Sequence, residues 1–356
     1  MFEEKLQENV LLSPFTTLGI GGLARYFVNA YDEQTIFDAV VWAKKHKLPL
    51  FVLGGGSNLL IADSGFSGLV LQVNNLGIEN LYQDGKILVT VAAGETWDDF
   101  VTFSVKNNWA GVEGLSGIPG KVGATPIQNV GAYGQEVKDT IVRLQAYDRY
   151  LGKVVSFSNE ECKFSYRQSL FKSEAKDRYI ILKVTYCLTP DFRPIIHYPE
   201  LQKYLLENFS LTPSLLNIRD AVLSIRRSKA MVVDPLDPDS KSVGSFFMNP
   251  IVEEEKLLLI KEKLLIKGFS DAIPQFPTTT GTVKLSAAWL IEKAGFKKGY
   301  QKGNVAVSSK HTLALVNKNG GTANEVCLLA KEIQKTVKEK FEIWLEPEPT
   351  YVGFNK

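Results

Sequence analysis

Three polar positions sit in settings that could turn a side chain to chemistry. Ser245 lies in Gly244-Ser245-Phe246-Phe247-Met248-Asn249-Pro250, where a hydroxyl beside two phenylalanines serves either as a backbone-bonded core group or as a proton donor. Arg167 follows Phe164-Ser165-Tyr166; the aromatics either stack a surface guanidinium or hold it in a desolvated site suited to a carboxylate. Glu346 and Glu348 lie in Leu345-Glu346-Pro347-Glu348-Pro349. There the prolines stiffen the backbone, leaving either two exposed acids or a carboxylate held in place.

Two glycine-rich stretches suggest what such groups would work on. Gly54-Gly55-Gly56-Ser57-Asn58 follows the apolar run Leu50-Phe51-Val52-Leu53, and its bare backbone admits close approach of a phosphate while Ser57 and Asn58 add donors. It is neither a P-loop nor a GxGxxG fingerprint. Residues 114–134, GLSGIPGKVGATPIQNVGAYG, hold six glycines and two prolines, too apolar for a linker and too broken for a helix. Two such segments in one region suit a long phosphate-bearing ligand better than two coincidental turns.

Other chemistries are thinly equipped. His46, His197 and His311 are the only histidines and form no HExxH pattern, and no GxSxG elbow occurs, so no metal site is expected. Cys162, Cys187 and Cys327 are odd in number and widely spaced, which fits small apolar packing groups in a reducing cytoplasm. A bound cofactor therefore has to carry the hard chemistry. Lys+Arg total 41 against Asp+Glu 39, a net charge of +2 with both signs scattered, which excludes a nucleic-acid footprint. No apolar run approaches the ~18 residues that span a bilayer, and the first residues are acidic rather than leader-like. A cytoplasmic monomer acting on a small molecule is expected.

The elements that must position these groups follow from periodicity. At 356 residues and 45% hydrophobic, the chain should form two or three domains at ~150 residues each. Asp32 reads as the N-cap of a helix carrying Ile36, Phe37, Val40 and Val41, and Trp97, Phe100, Val101 and Val105 mark a second helix closing at Gly111. Strands are expected around Ile87, Val89 and Val91, over residues 142–157 with a turn at 148–152, and over 179–188. Residues 190–216, with prolines at 190, 194, 199 and 213, read as irregular, and a separate C-terminal part is placed from residue 220. In it, residues 257–265 and 286–294 read as helices, 305–307 and 313–316 as strands, and a final helix carries Val326, Leu329, Ala330, Ile333, Val337 and Phe341 on one face.

Taken in order, these segments resemble the UDP-N-acetylenolpyruvoylglucosamine reductase family. The match runs from about Asn9 to Phe354 and rests on Thr16-Thr17-Leu18-Gly19-Ile20-Gly21-Gly22, on the two glycine-rich stretches, on Ser165-Tyr166-Arg167, on Gly244-Ser245-Phe246-Phe247, and on Leu345-Glu346-Pro347-Glu348. The resemblance implies an α+β fold: an FAD-binding unit of the PCMH or vanillyl-alcohol-oxidase type in two α+β subdomains, residues 1–75 and 76–219, then an α+β substrate-binding domain over 220–344. The tail 345–356 is expected to pack back on the first subdomain. FAD would be held by Gly54, Gly55, Gly56, Ser57, Asn58 and Leu59, and by Ser116, Ile118, Pro119, Gly120, Gly123, Ala124, Gln128, Asn129, Gly131, Ala132, Tyr133 and Gly134.

The implied reaction uses NADPH as co-substrate and passes hydride from reduced FAD to C3 of UDP-N-acetylglucosamine enolpyruvate, with protonation at C2, for peptidoglycan precursor synthesis. Ser245 matches the family's proton donor, and Arg167 and Glu348 match the groups that stabilise the developing charge. Tyr198 and Lys229 match positions that cover and contact the substrate diphosphate, and Asn249 and Gln301 match further substrate-binding positions. The same resemblance implies that the stretch 190–216 is a mobile cover. Relatives often carry lysine where Met248 stands and arginine where Thr350 stands. Two alternatives, another oxidase of the same fold and a nucleotide-sugar-binding protein without catalysis, sit poorly with the presence of Arg167, Ser245 and Glu348 together.

Overall fold

In the computed structural model, which describes residues 2–191, 196–209, 212–266, 272–278, 281–318 and 320–354, the chain gathers into two compact units that alternate along the sequence. The first comprises Met1–Val10, Ala24–Gly56 and Phe66–Val232, the second Leu11–Leu23, Ser57–Gly65 and Val233–Lys356.

The first unit begins with strands Leu23–Ala30, Phe66–Val73 and Leu50–Leu53, paired in parallel. Helix α1, Glu33–Lys45, joins the first to the last. Its start is set as expected: the Asp32 carboxylate accepts the Thr35 N–H at 2.6 Å, and Ile36, Ala39, Val40 and Ala43 are buried. An antiparallel sheet follows in the order Lys153–Ser158, Ile141–Asp148, Tyr179–Pro190, Lys86–Ala92, Ile78–Gln83. Ile87, Val89 and Val91 are buried at every second position, the period of a strand with one covered face. Helix α2, Trp97–Lys106, buries Trp97, Phe100, Val101 and Val105. It stops before Gly111, because Asn108 takes a left-handed φ of 59° and Trp109–Ala110 then pairs with Tyr179–Pro190.

The stretch expected to be irregular is largely helical where described; its residues 192–195 and 210–211 lie outside the described residues. Pro199 does not break structure but opens helix α3, Pro199–Asn208, from its first turn, with Tyr198 as N-cap and Leu201 and Leu205 buried. Helix α4, Leu215–Ser228, starts from a capping box between Ser214 and Asn217. It runs through residue 220, and the first unit continues to Val232.

The second unit is built on an antiparallel sheet in the order Ser242–Ser245, Ala314–Asn317, Val305–Val307, Gln301–Lys302. It also holds a sheet of Ile251–Glu253, Thr282–Leu285 and Gln275–Pro277, and helices α5, Glu254–Ile266, α6, Ala287–Ala294, and α7, Ala323–Phe341. The stripe expected on the last helix is buried with Phe246, Phe247 and Leu290 in one core. The tail strand Thr350–Val352 pairs in parallel with Leu59–Ile61, directly after the first glycine loop.

Candidate active site

Strand Leu50–Leu53 delivers the chain into the first glycine loop, which lies against the second. A Cβ on Gly55 would stand 2.7 Å from Gly120 Cα, and one on Gly54 would stand 3.7 Å from Lys121 Cβ. Two backbones meet at Gly55, so no other residue fits there without moving one of them. Gly123 is held as tightly, with a Cβ there 2.6 Å from that of Ala93. Gly56, Gly117, Gly120 and Gly134, and also Asn129 and Tyr133, take left-handed backbone, the geometry in which successive N–H groups converge on an anion. Ile118, Pro119, Gln128, Gly131 and Ala132 are half-buried and Ala124 is exposed.

Three polar side chains that sequence reasoning missed hold this loop. Glu113 is fully buried and accepts the Gly111 N–H and the Gln135 amide, each at 2.7 Å, while Gln135 accepts the Gly114 N–H at 2.7 Å. The loop is thereby closed at its base. Asp98 accepts the Gly117 N–H at 2.5 Å and both ends of the Arg219 guanidinium at 2.7 Å. Burial works to raise the Asp98 carboxyl, but the hydrogen bonds from Arg219 and Gly117 and the charges of Arg219 and Arg226 hold it below the usual range. No spacing rule links residue 98 to residue 219. Ser116 turns its buried hydroxyl back onto Glu113 O at 2.6 Å. The buried Asn129 bonds Glu136, Ser165 and Lys138 N–H at 2.8, 3.0 and 3.1 Å.

Arg167 occupies the corner of a two-residue turn in which Ser165 and Gln168 exchange backbone bonds of 3.1 Å. Its φ of 56° is a left-handed setting that an arginine adopts at a cost. The guanidinium stacks on Tyr166 at 5.4 Å and donates to Gly131 O at 2.8 Å. A Cβ on Gly131 would stand 3.2 Å from Arg167 Nη1, so the glycine leaves room for the cation. At the end of the same loop Tyr133 meets Tyr198 edge to face, ring centroids 5.3 Å apart. Burial pushes both phenols up. Lys229, the C-cap of α4, pairs with Glu200 at 2.6 Å.

The second unit assembles its own set. Ser245 ends the strand Ser242–Ser245, after Gly244 at φ 73°, and is half-buried. Beyond it, residues 246–248 run beside 346–348: Glu348 N–H donates to Phe246 O and Met248 N–H to Glu346 O, both at 2.9 Å, with Phe247 opposite Pro347. Asn58 joins the same ladder, its side-chain amide donating to Glu348 O at 3.3 Å and its backbone carbonyl accepting the Thr350 N–H at 3.0 Å. Thr17 donates to Ser242 O at 2.6 Å and reaches Ser57 O at 3.5 Å. Ser57 and Leu59 flank Asn58, both half-buried. Asn249 accepts the Ala287 N–H that opens α6 at 2.9 Å, while Gln301 is exposed and donates to Gly303 O at 2.9 Å.

Among the described residues no group of three or more His, Cys, Asp or Glu could hold a metal ion, and no helix is long and apolar enough to cross a membrane. The glycine loops do fit a dinucleotide. Backbone packed so closely that a Cβ cannot enter at 55 or 123, beside left-handed positions at 56, 117 and 120, is what a pyrophosphate requires. An α+β chain with such a cradle is a flavin-binding oxidoreductase, and residues 24–158 match the family described as the FAD binding domain. The mixed helices and strands agree with the expected α+β fold with an FAD-binding unit. Residues 234–352 match the C-terminal domain of UDP-N-acetylenolpyruvoylglucosamine reductase. The chain is 45% identical to the UDP-N-acetylenolpyruvoylglucosamine reductase of Thermobifida fusca over 97% of either chain, and 38% identical to that of Neisseria meningitidis serogroup A over 96% of either. The crystal structure of UDP-N-acetylenolpyruvylglucosamine reductase from Thermus caldophilus aligns with a TM-score of 0.64 at 25% identity, covering 96% of this chain and 97% of that one. The chain belongs to the UDP-N-acetylenolpyruvoylglucosamine reductase family and is an FAD-dependent oxidoreductase.

Proposed function

We propose that the chain reduces UDP-N-acetylglucosamine enolpyruvate to UDP-N-acetylmuramate for peptidoglycan precursor synthesis, with NADPH as reductant. The observation that carries this reading is the pairing of residues 246–248 with 346–348. It brings the segment that follows Ser245 alongside the one that ends at Glu348, 103 positions away in sequence, and Asn58 of the first glycine loop bonds the Glu348 backbone. Gly54 to Leu59 and the residues named in 116–134 would hold FAD, which when bound supplies two-electron chemistry, accepting hydride from NADPH and giving hydride to C3 of the substrate.

The chain's own residues then manage charge and proton. Ser245 donates its hydroxyl proton to C2. A serine is a weak acid, so this works only if the charge building at C2 is delocalised into the adjacent substrate carboxylate. Arg167 pairs with that carboxylate, for which a planar guanidinium offers a bidentate fork. Glu348 would assist only when protonated or hydrogen-bonded, because a bare carboxylate would repel the enolate. Tyr198 and Lys229 take the diphosphate, and Asn249 and Gln301 contact the substrate. In functional terms, residues 1–75 and 76–219 would serve FAD and 220–344 the substrate.

Anaerobic stopped flow on Ser245→Ala tests the assignment. NADPH still bleaches the visible flavin bands, while their return on adding UDP-N-acetylglucosamine enolpyruvate slows by a factor on the order of 100 or more. Reoxidation at the normal rate removes Ser245 as the donor. A wild-type flavin that bleaches with NADPH and stays bleached removes the substrate.

A further inference from the structure

In the first unit, the C-terminal end of α4 carries three cations, the exposed Arg227 and, one turn apart, Arg226 and Lys229, the last two with unequal compensation. Arg226 is 8% exposed. One of its terminal nitrogens donates to Met231 O at 2.6 Å, and its Nε is buried with no hydrogen-bond partner among the described residues. The carboxylate acting on it, Asp98, is already committed to Arg219 and Gly117. Lys229, by contrast, is neutralised by Glu200 at 2.6 Å. Glu200 stands in the first turn of α3, two residues after Tyr198, whose ring packs on Tyr133, and both Arg226 and Glu200 act electrostatically on Tyr133. Two cations, one carboxylate and two tyrosines therefore share one locality.

We propose that Glu200 is an affinity-setting residue, a built-in counter-anion that holds the Lys229 position until the substrate's diphosphate displaces it. This rests on the reading of Lys229 as a diphosphate contact. A dianionic diphosphate and the Glu200 carboxylate repel each other when both sit against one ammonium, so binding favours exchange of one anion for the other. Arg226, buried and lacking a carboxylate of its own, supplies the excess positive charge that makes the exchange favourable. Glu200 leads the helix that Tyr198 caps, so its release also frees the Tyr198 end of α3 from Lys229. The ion pair is partly exposed, its side chains 27% and 43% accessible, so the competition it exerts is modest.

The test measures KM for UDP-N-acetylglucosamine enolpyruvate in flavin reoxidation and Kd for UDP by perturbation of the flavin spectrum, in the FAD-loaded enzyme. Glu200→Gln, which keeps shape and removes charge, lowers both about two- to fivefold, the span that a partly exposed ion pair allows. Glu207→Gln removes the same charge from the exposed end of α3 and leaves both unchanged. In a Lys229→Met background, Glu200→Gln has no further effect. A structural role for Glu200 has the opposite sign, because loosening α3 raises KM. If Lys229→Met raises KM and Glu200→Gln fails to lower it, the counter-anion is wrong and the diphosphate contact stands. If Lys229→Met leaves KM unchanged, the diphosphate contact fails and the counter-anion with it.

Discussion

The glycine loops of the first unit and the Ser245 strand of the second hold functional backbone by opposite means. In the first, backbone meets backbone at Gly55 and Gly120, and side chains from distant elements, Asp98, Glu113, Gln135 and Asn129, supply the ties. In the second, the main chain supplies them: residues 246–248 and 346–348 exchange N–H···O bonds, a ladder indifferent to what the side chains are. Chemistry and folding are therefore entangled in the first region and separable in the second. Substitution there can remove the roles proposed for Ser245 and Glu348 while leaving the main-chain bonds between 246–248 and 346–348 in place.

The largest test of this contrast is Gly55→Ala. Its methyl group enters the space of Gly120 Cα at 2.7 Å, where neither backbone yields cheaply. The expected result is a loss on the order of 3 kcal/mol in thermal unfolding and a purified protein without flavin absorbance. A variant that binds FAD with unchanged stability breaks the comparison.

A smaller effect is expected at Asp239, which ties the lead-in of the Ser242–Ser245 strand by accepting from Ser308 Oγ at 2.8 Å, Ser309 N–H at 2.6 Å and Ser309 Oγ at 2.7 Å, and by pairing with Lys318. Burial works to raise this carboxyl, but Lys318, Ser309 and Ser308 together hold it at about 2, against an ordinary 3.8. A depressed carboxyl stabilises the fold above its unfolded value and loses that contribution as pH falls from about 4 through about 2. Asp239→Asn should cost on the order of 2 kcal/mol at neutral pH, with the gap to wild type closing below pH ~3 in pH-resolved denaturation. A gap independent of pH would mean that the bonds, not the charge, matter.

The smallest stability effect sharpens the contrast from the other side. Glu348→Ala leaves the N–H that bonds Phe246 O in place, so only the side chain's own contacts are lost and stability should fall by about 1 kcal/mol, while substrate-driven flavin reoxidation falls about a hundredfold. Loss of stability matching that of Gly55→Ala would show that the second region is as entangled as the first.

How far the sequence could be read follows the same division. Asp32 and the alternation at residues 87–91 were legible because capping and periodicity are local; the α1 stripe was half right, since Ile36 and Val40 are buried with Ala39 and Ala43 while Val41 faces solvent. The glycine loops were legible because bare backbone is a composition signal. Pro199 misled, because a proline that opens a helix looks in sequence like one that breaks it. Asp98 and Arg219 are 121 residues apart, and the Lys229–Glu200 pair joins two helices, so neither leaves a trace in spacing. Glu113 was invisible for another reason: a fully buried acid satisfied by one backbone N–H and one amide is spelled like a surface acid.

The sequence by itself determined several helices and strands, among them α1, α2, α7 and the strand at 86–92, the two stretches of exposed backbone, and the ordered motifs that mark the family, since each depends on residues close to one another in the chain. Tertiary structure alone decided that Gly55 rests on Gly120, that Arg167 bends left-handed to reach Gly131, that the 346–348 tail lies beside Ser245, and that Lys229 is held by Glu200. Those contacts join segments tens to hundreds of residues apart, and it is packing of the whole chain, not local preference, that selects them.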